Sequence, residues 1–274
     1  MSNITKSIAL SALGDGVYEG QTDINYRLIT GPFGGWVSAI MLKAATVHLN
    51  GLSDDPKAAH PVSMTVNFIA PITAPSVRVQ VIVQKMTRTL CFLRVEATQI
   101  LEDKSVPVAS ALVILGPRRG DLHLVEQTMP PDLPLAHTIA PYGGRTGGPN
   151  FFARYEVRYV IGVPFHEGEQ SRSIVYTREH PPAPIDAFAL AAMSDVPLPR
   201  LMFRRPSMMP FATVTLTINF HHLESDLIAQ GSDELVIESR TRQIRSGFFD
   251  QTSELWSKTG ILLATSEQMV WFKD

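Results

Sequence analysis

Asp195 is the residue whose type and placement most suggest chemistry. It closes the apolar segment 185–195 (IDAFALAAMSD), in which Ile185, Phe188, Ala189, Ala192 and Met193 follow the i, i+3, i+4, i+7, i+8 spacing of a buried helical stripe. At about 100° per residue, Asp195 falls roughly 20° from Phe188, at the edge of that stripe. It also occupies the last turn, where a negative charge opposes the helix dipole. Pro197 follows closely and supports termination there. A carboxylate so placed is partly desolvated and suited to orient or deprotonate a water. The competing expectation is an Asp turned to solvent, the commoner fate of the residue type.

Two further polar groups sit in strand-like runs. In 211–220 (FATVTLTINF), Thr213, Thr215, Thr217 and Asn219 alternate with Val214, Leu216, Ile218 and Phe220, which predicts two separate faces. Such a polar row ordinarily marks a solvated face, and nothing in the spacing distinguishes Thr213 from its neighbours. Gln268 interrupts the apolar run 261–272 (ILLATSEQMVWF) beside Glu267 and could equally face outward.

Other chemistries lack their residues. Ser38 in GWVSA has the wrong spacing for a GxSxG elbow, and no HExxH, P-loop or GxGxxG occurs. His221 and His222 are adjacent, so on a strand they would point to opposite faces, which argues for a surface or interface role over shared metal ligation. Cys91 is the one cysteine, which excludes an intramolecular disulfide and a four-cysteine zinc site. No metal or cofactor is expected. A formal charge of -2 gives no reason to expect a nucleic-acid partner or a polybasic membrane patch. No stretch approaches the roughly 18 apolar residues of a membrane helix, and residues 1–16 lack the pattern of a secretory signal. The default location is cytoplasmic.

The elements that must position these residues form an internal repeat. Met64-Thr65-Val66-Asn67-Phe68 matches Leu216-Thr217-Ile218-Asn219-Phe220, and the surroundings match in order. An apolar helix over 35–49 precedes the first copy, and the 185–195 helix precedes the second. Strand-like runs 77–86, 92–100 and 106–115 follow the first; 235–241, 247–256 and 261–272 follow the second. Each half opens with an extended stretch, 17–28 and 155–161. Short connections among the late strands favour antiparallel hairpins. Residues 117–149, rich in Pro and Gly, read as a linker between an N-terminal unit, 1–116, and a C-terminal unit, 150–274. A second irregular region is expected over 164–184. A helix followed by an antiparallel sheet, given twice, predicts an α+β protein with sheets wrapped around central helices.

The pattern resembles the double-hotdog acyl-CoA thioesterases, in particular the bacterial acyl-CoA thioesterase II group. In the first half the resemblance rests on PFGGWVSAIML and PVSMTVNFIAPI, in the second on AAMSD, ATVTLTINFHH and LLATSEQMVWF. It implies a double hotdog, two tandem units each with an antiparallel sheet around a long helix, that hydrolyses fatty acyl-CoA to free fatty acid and CoA. It further implies a catalytic set of Asp195, Thr213 and Gln268, with an activated water as the favoured nucleophile; direct attack by the Asp is the mechanistic alternative. A backbone N–H at the start of the first helix, around Gly34 and Gly35, is expected to polarise the thioester carbonyl. Arg200, Arg204 and Arg205 are candidates for the CoA phosphates, with a solvated loop as the other reading. The family's usual His-Arg after the strand Phe is His221-His222 here.

Two other functions fit the same fold. A non-catalytic acyl-CoA-binding protein would lack one of the three polar groups, and all three are present. An enoyl-CoA hydratase would generally need a His paired with an acid, whereas His48, at the end of the first helix, has no adjacent acid. All three candidates lie in the second half, and the residue matching Thr213 in the first is Pro61, so one active site per chain is expected. Edge strands leave a homodimer or higher homo-oligomer open.

Overall fold

The computed structural model describes residues 1–52, 59–143 and 150–273. Gly144, Gly147, Gly148 and Pro149 of the expected linker lie outside the described residues. The first half runs α1 (Asn3–Ser7), β1 (Leu10–Gly14), β2 (Val17–Gln21), α2 (Gly34–Asn50), β3 (Pro61–Phe68), β4 (Ser76–Met86), β5 (Cys91–Leu101) and β6 (Lys104–Leu115). The second runs β7 (Tyr155–Ile161), β8 (Ser173–Glu179), α3 (Ala187–Met193), β9 (Phe211–Phe220), α4 (Glu224–Gln230), β10 (Leu235–Arg240), β11 (Ile244–Arg245), β12 (Phe248–Trp256) and β13 (Leu262–Phe272).

The strands form one antiparallel sheet in the order β1-β2-β4-β5-β6-β3-β9-β13-β12-β10-β8-β7, with the short β11 paired to β12. Its two halves have mirrored orders that meet at β3 and β9. There Thr65 pairs with Thr217, Met64 with Ile218 and Val66 with Leu216. Those are the residues of the internal sequence match, so the repeat's own centre is the pseudo-two-fold axis of the sheet. The Thr65 and Thr217 hydroxyls lie 3.0 Å apart on it.

The sheet curls around α2 and α3 because their apolar residues need cover on most sides. In α2, Trp36, Ala39, Ile40, Met41, Leu42, Ala44 and Ala45 are each 0% exposed, as its near-continuous apolar sequence requires. Val47, an apparent core residue by type, is 41% exposed near the helix end. Helix α3 is capped by the Asp186 carboxylate, which accepts from the Ala189 N–H at 2.9 Å. It ends at Met193, so Asp195 lies just beyond the helix instead of in its last turn.

Three expectations need correction. Residues 164–184 contain β8, whose inward side chains include Val175 and Thr177; the Pro and Gly residues around it masked the alternation. The 17–28 stretch is β2 followed by a 3₁₀ turn over Ile24–Tyr26, and β1 pairs with β2 as a hairpin. The hairpin turns through Gly14-Asp15-Gly16, all with positive φ, which glycine adopts without steric cost. His222 is 1% exposed and packs on the His60 ring at 4.9 Å, so only His221 of that pair is at the surface. Among the described residues no helix is long and apolar enough to cross a membrane.

Candidate active site

A cavity of about 1050 Å³ opens between the two halves. Phe33, Gly34, Val37 and Phe68 line it from the first half, and Asp195, Thr213 and Gln268 from the second. The three polar residues that the family resemblance selects therefore share one chamber.

Asp195 is held at the meeting point of both helices. Its N–H donates to the Ala192 carbonyl at 3.1 Å, continuing the turn of α3. Its carboxylate accepts from the Gly35 N–H at the start of α2 and from Gln268 Nε2 at 2.9 Å. Both helix-start positions leave little room for a side chain, and Gly35 leaves none. A Cβ on Gly34 would come within 2.8 Å of Asp195 Oδ2, and one on Gly35 would meet the Ala192 carbonyl oxygen and the Phe33 ring.

Burial pushes the Asp195 carboxyl up to about 7, and the hydrogen bonds from Gly35 and Gln268 offset only part of that rise. The positive end of the seventeen-residue α2 faces the same carboxylate and favours its ionised form. A group divided between its two protonation states near neutrality is matched to proton transfer.

Gln268 is inward because β13 alternates strictly beyond Thr265. Ser266, Gln268, Val270 and Phe272 are buried, while Glu267, Met269 and Trp271 face out. Glu267 pairs with Arg242 at the surface. Gln268 is 4% exposed, so the outward reading does not hold.

Thr213 reaches the cavity by a route that strict alternation hides. Met269 pairs with Thr215 and Val270 with Thr213, so Val214 is an extra residue in a β-bulge. The bulge rotates Thr213 off the face of Thr215 and Thr217 and onto the inner face shared with Val270 and Gln268. The expectation that Thr213, Thr215, Thr217 and Asn219 point one way is thus wrong at Thr213. Among the described residues no hydrogen bond joins Thr213 to Asp195 or Gln268.

The first half repeats the bulge without the polar side chains. Its β3–β6 register skips Val62, with Pro61 opposite Leu115 and Ser63 opposite Ile114. Met64, the counterpart of Leu216, pairs with Val113, just as Leu216 pairs with Gln268. Counting from the helix caps Phe33 and Asp186, the counterpart of Asp195 is Leu42. Pro61, Val113 and Leu42 are all buried, and none offers a proton or an acceptor side chain.

Two residues of the wall change the sequence picture. Arg200 is 0% exposed and bound to neutral acceptors, so it is no contact for CoA phosphates; Arg204 and Arg205 are exposed. Gln251, cross-strand partner of Gln268, also lines the cavity and was not singled out by type or spacing. Its inward place in FFDQTSELW, alternating with Asp250 and Thr252, was the available signal.

Two mirrored antiparallel half-sheets around apolar helices, with a polar chamber between them, define a hot dog protein. A structure described as a conserved protein of unknown function with hot dog fold, from Alicyclobacillus acidocaldarius, is 30% identical, with TM-score 0.89 and coverage of 100% of this chain and 99% of that one. A putative thioesterase II from Thermobifida fusca YX shares the fold at 18% identity and TM-score 0.82, covering 100% and 98%. An acyl-CoA thioesterase II, TesB2, from Mycobacterium marinum does so at 18% and 0.73, covering 98% of each chain. No curated protein matches the sequence. Family models for the N-terminal and C-terminal domains of acyl-CoA thioesterases match residues 24–116 and 129–272. The chain belongs to the acyl-CoA thioesterase family and is a thioester hydrolase whose substrate is acyl-CoA.

Proposed function

We propose that Asp195, Thr213 and Gln268 hydrolyse fatty acyl-CoA by activating a water against the thioester carbonyl. The observation that carries this reading is the Asp195 carboxylate, raised to about 7 and bonded to Gln268 at 2.9 Å in a chamber with the Thr213 side chain. Asp195 takes a proton from the water as its oxygen attacks the carbonyl carbon. Thr213 and Gln268 hold that water in line. The carbonyl becomes an oxyanion, the C–S bond then breaks, and the proton on Asp195 passes to the departing CoA thiolate.

Gly34 and Gly35 divide the role expected of them. The Gly35 N–H serves Asp195. The Gly34 N–H belongs to the first turn of α2, whose amides lack intrahelical acceptors, and is the donor we assign to the oxyanion. In this reading 1–116 and 150–274 are the two hotdog units, 117–149 links them, and the enzyme works in the cytoplasm on chains that the apolar chamber walls accept.

A panel of acyl-CoA thioesters, with released CoA detected by a thiol reagent, tests the assignment. Turnover of some chain length by the wild type and none by Asp195→Asn is expected. Turnover by Asp195→Asn equal to the wild type would remove Asp195 from the mechanism.

A further inference from the structure

Arg200 is a buried guanidinium without a counter-ion. Among the described residues no carboxylate pairs with it; its Nε donates to Leu198 O at 3.1 Å and to Gln251 Oε1 at 3.2 Å. Nη1 donates to Ser171 O at 3.0 Å, Ser173 Oγ at 2.7 Å and Ser239 O at 3.3 Å, and Nη2 donates to Leu198 O. The Phe203 ring covers it at 4.2 Å. Burying a cation in this way is costly, and a loop could be held by neutral groups. What the guanidinium adds is a rigid fork: Nε and Nη2 together grip the Leu198 carbonyl.

That carbonyl belongs to the segment carrying Asp195. Between Asp195 and Arg200 the chain reads Val-Pro-Leu-Pro, with two residues that have no N–H to anchor it. Its carbonyls are anchored instead. Gln268 Nε2 and Ser266 Oγ donate to Ser194 O, at 3.4 and 3.5 Å, and Gln251 Nε2 donates to Pro197 O at 3.2 Å. Gln251 and Gln268 are opposite each other on β12 and β13. The segment is therefore clamped at 194–195 by one glutamine, at 197 by its neighbour and at 198 by Arg200, which also fixes that neighbour's amide.

We propose that Arg200 is a positioning residue for Asp195: with Gln251 it fixes the 194–198 carbonyls against the sheet and so sets the Asp195 carboxylate between Gly35 and Gln268. The inference rests on Asp195 being the base of the thioesterase reaction. The groups facing Asp195 are few. Tyr155 of β7 feels its charge, Gln268 of β13 and Gly35 of α2 donate to it, and Gly34 lies beside it. Burial is the main cause of the raised Asp195 pKa, so with the site still dry, loosening the clamp weakens the two donors that lower it and moves the carboxyl further up.

Arg200→Lys keeps the charge and loses the fork. For this variant kcat is expected to fall about tenfold or more with KM within about threefold, and the acid limb of the pH profile to move upward. Gln251→Ala should shift the same quantities in the same direction, by less. The Asp195 carboxyl, followed by carbon NMR in aspartate-labelled protein and assigned by its loss in Asp195→Asn, should titrate higher in Arg200→Lys than in wild type. Wild-type kcat and titration in Arg200→Lys would overturn the proposal. So would activity that falls only with the folded fraction while the midpoint stays in place. A wild type that hydrolyses no acyl-CoA refutes the thioesterase reading alone, because the carboxyl titration still decides on Arg200.

Discussion

At the scale of single residues, burial pushes the Asp195 carboxyl from an ordinary 3.8 up to about 7. In the proposed reaction the ionised form is the base, so kcat/KM should rise with pH through about 7 and level off above it. Replacing Gln268 by Ala removes a donor that stabilises the carboxylate, which moves the midpoint upward and lowers turnover more than substrate binding. A pH series on both proteins checks this; an unmoved midpoint would show that Gln268 does not act on Asp195. A raised pKa means Asp195 adds most to stability below pH 3.8, a contribution lost as pH rises through about 7. Asp195→Asn lacks that loss, so its melting temperature relative to wild type should be higher at pH 8 than at pH 5. Thr213→Ala should lower kcat with little change in KM, and an unchanged kcat would remove the hydroxyl from the mechanism.

At the scale of elements, the start of α2 must approach the end of α3 closely enough for a backbone amide to reach a carboxylate. Gly35→Ala inserts a methyl between two backbones with no room to yield, and overpacking of this kind costs about 1–3 kcal/mol. Thermal melts should show the loss, and a wild-type melting temperature would mean that the helices separate freely. Much of this layer was legible in the sequence. The 35–49 helix, the late strands and the repeat all appear within a residue or two of their predicted limits, because long apolar periodicities dominate local preferences. Strand β8 was harder, since its Pro- and Gly-rich flanks hide a short alternation, while the 185–195 helix runs over 187–193 and leaves Asp195 just outside it. The bulge at Val214 had no signature at all in FATVTLTINF. Thr213 came from family resemblance alone, and the reason it faces the chamber is a register shift that only strand pairing displays.

For the molecule as a whole, duplication supplied two equivalent frames, and the polar side chains of the chamber's Asp-Thr-Gln set occupy one. Leu42, Pro61 and Val113 stand where Asp195, Thr213 and Gln268 stand in the other half, so in the proposed reaction the first frame offers α2 and a wall while the second offers the reacting groups. Titration of Asp195→Asn with an acyl-CoA should therefore saturate at one ligand per chain; two would mean that the first half holds a site of its own. The most direct test of the account is the rate of CoA release from acyl-CoA by wild type and Asp195→Asn at pH 8, where the wild-type carboxyl is ionised. The account predicts rapid release by the wild type and none above background by a folded Asp195→Asn. Equal rates in the two proteins would contradict it.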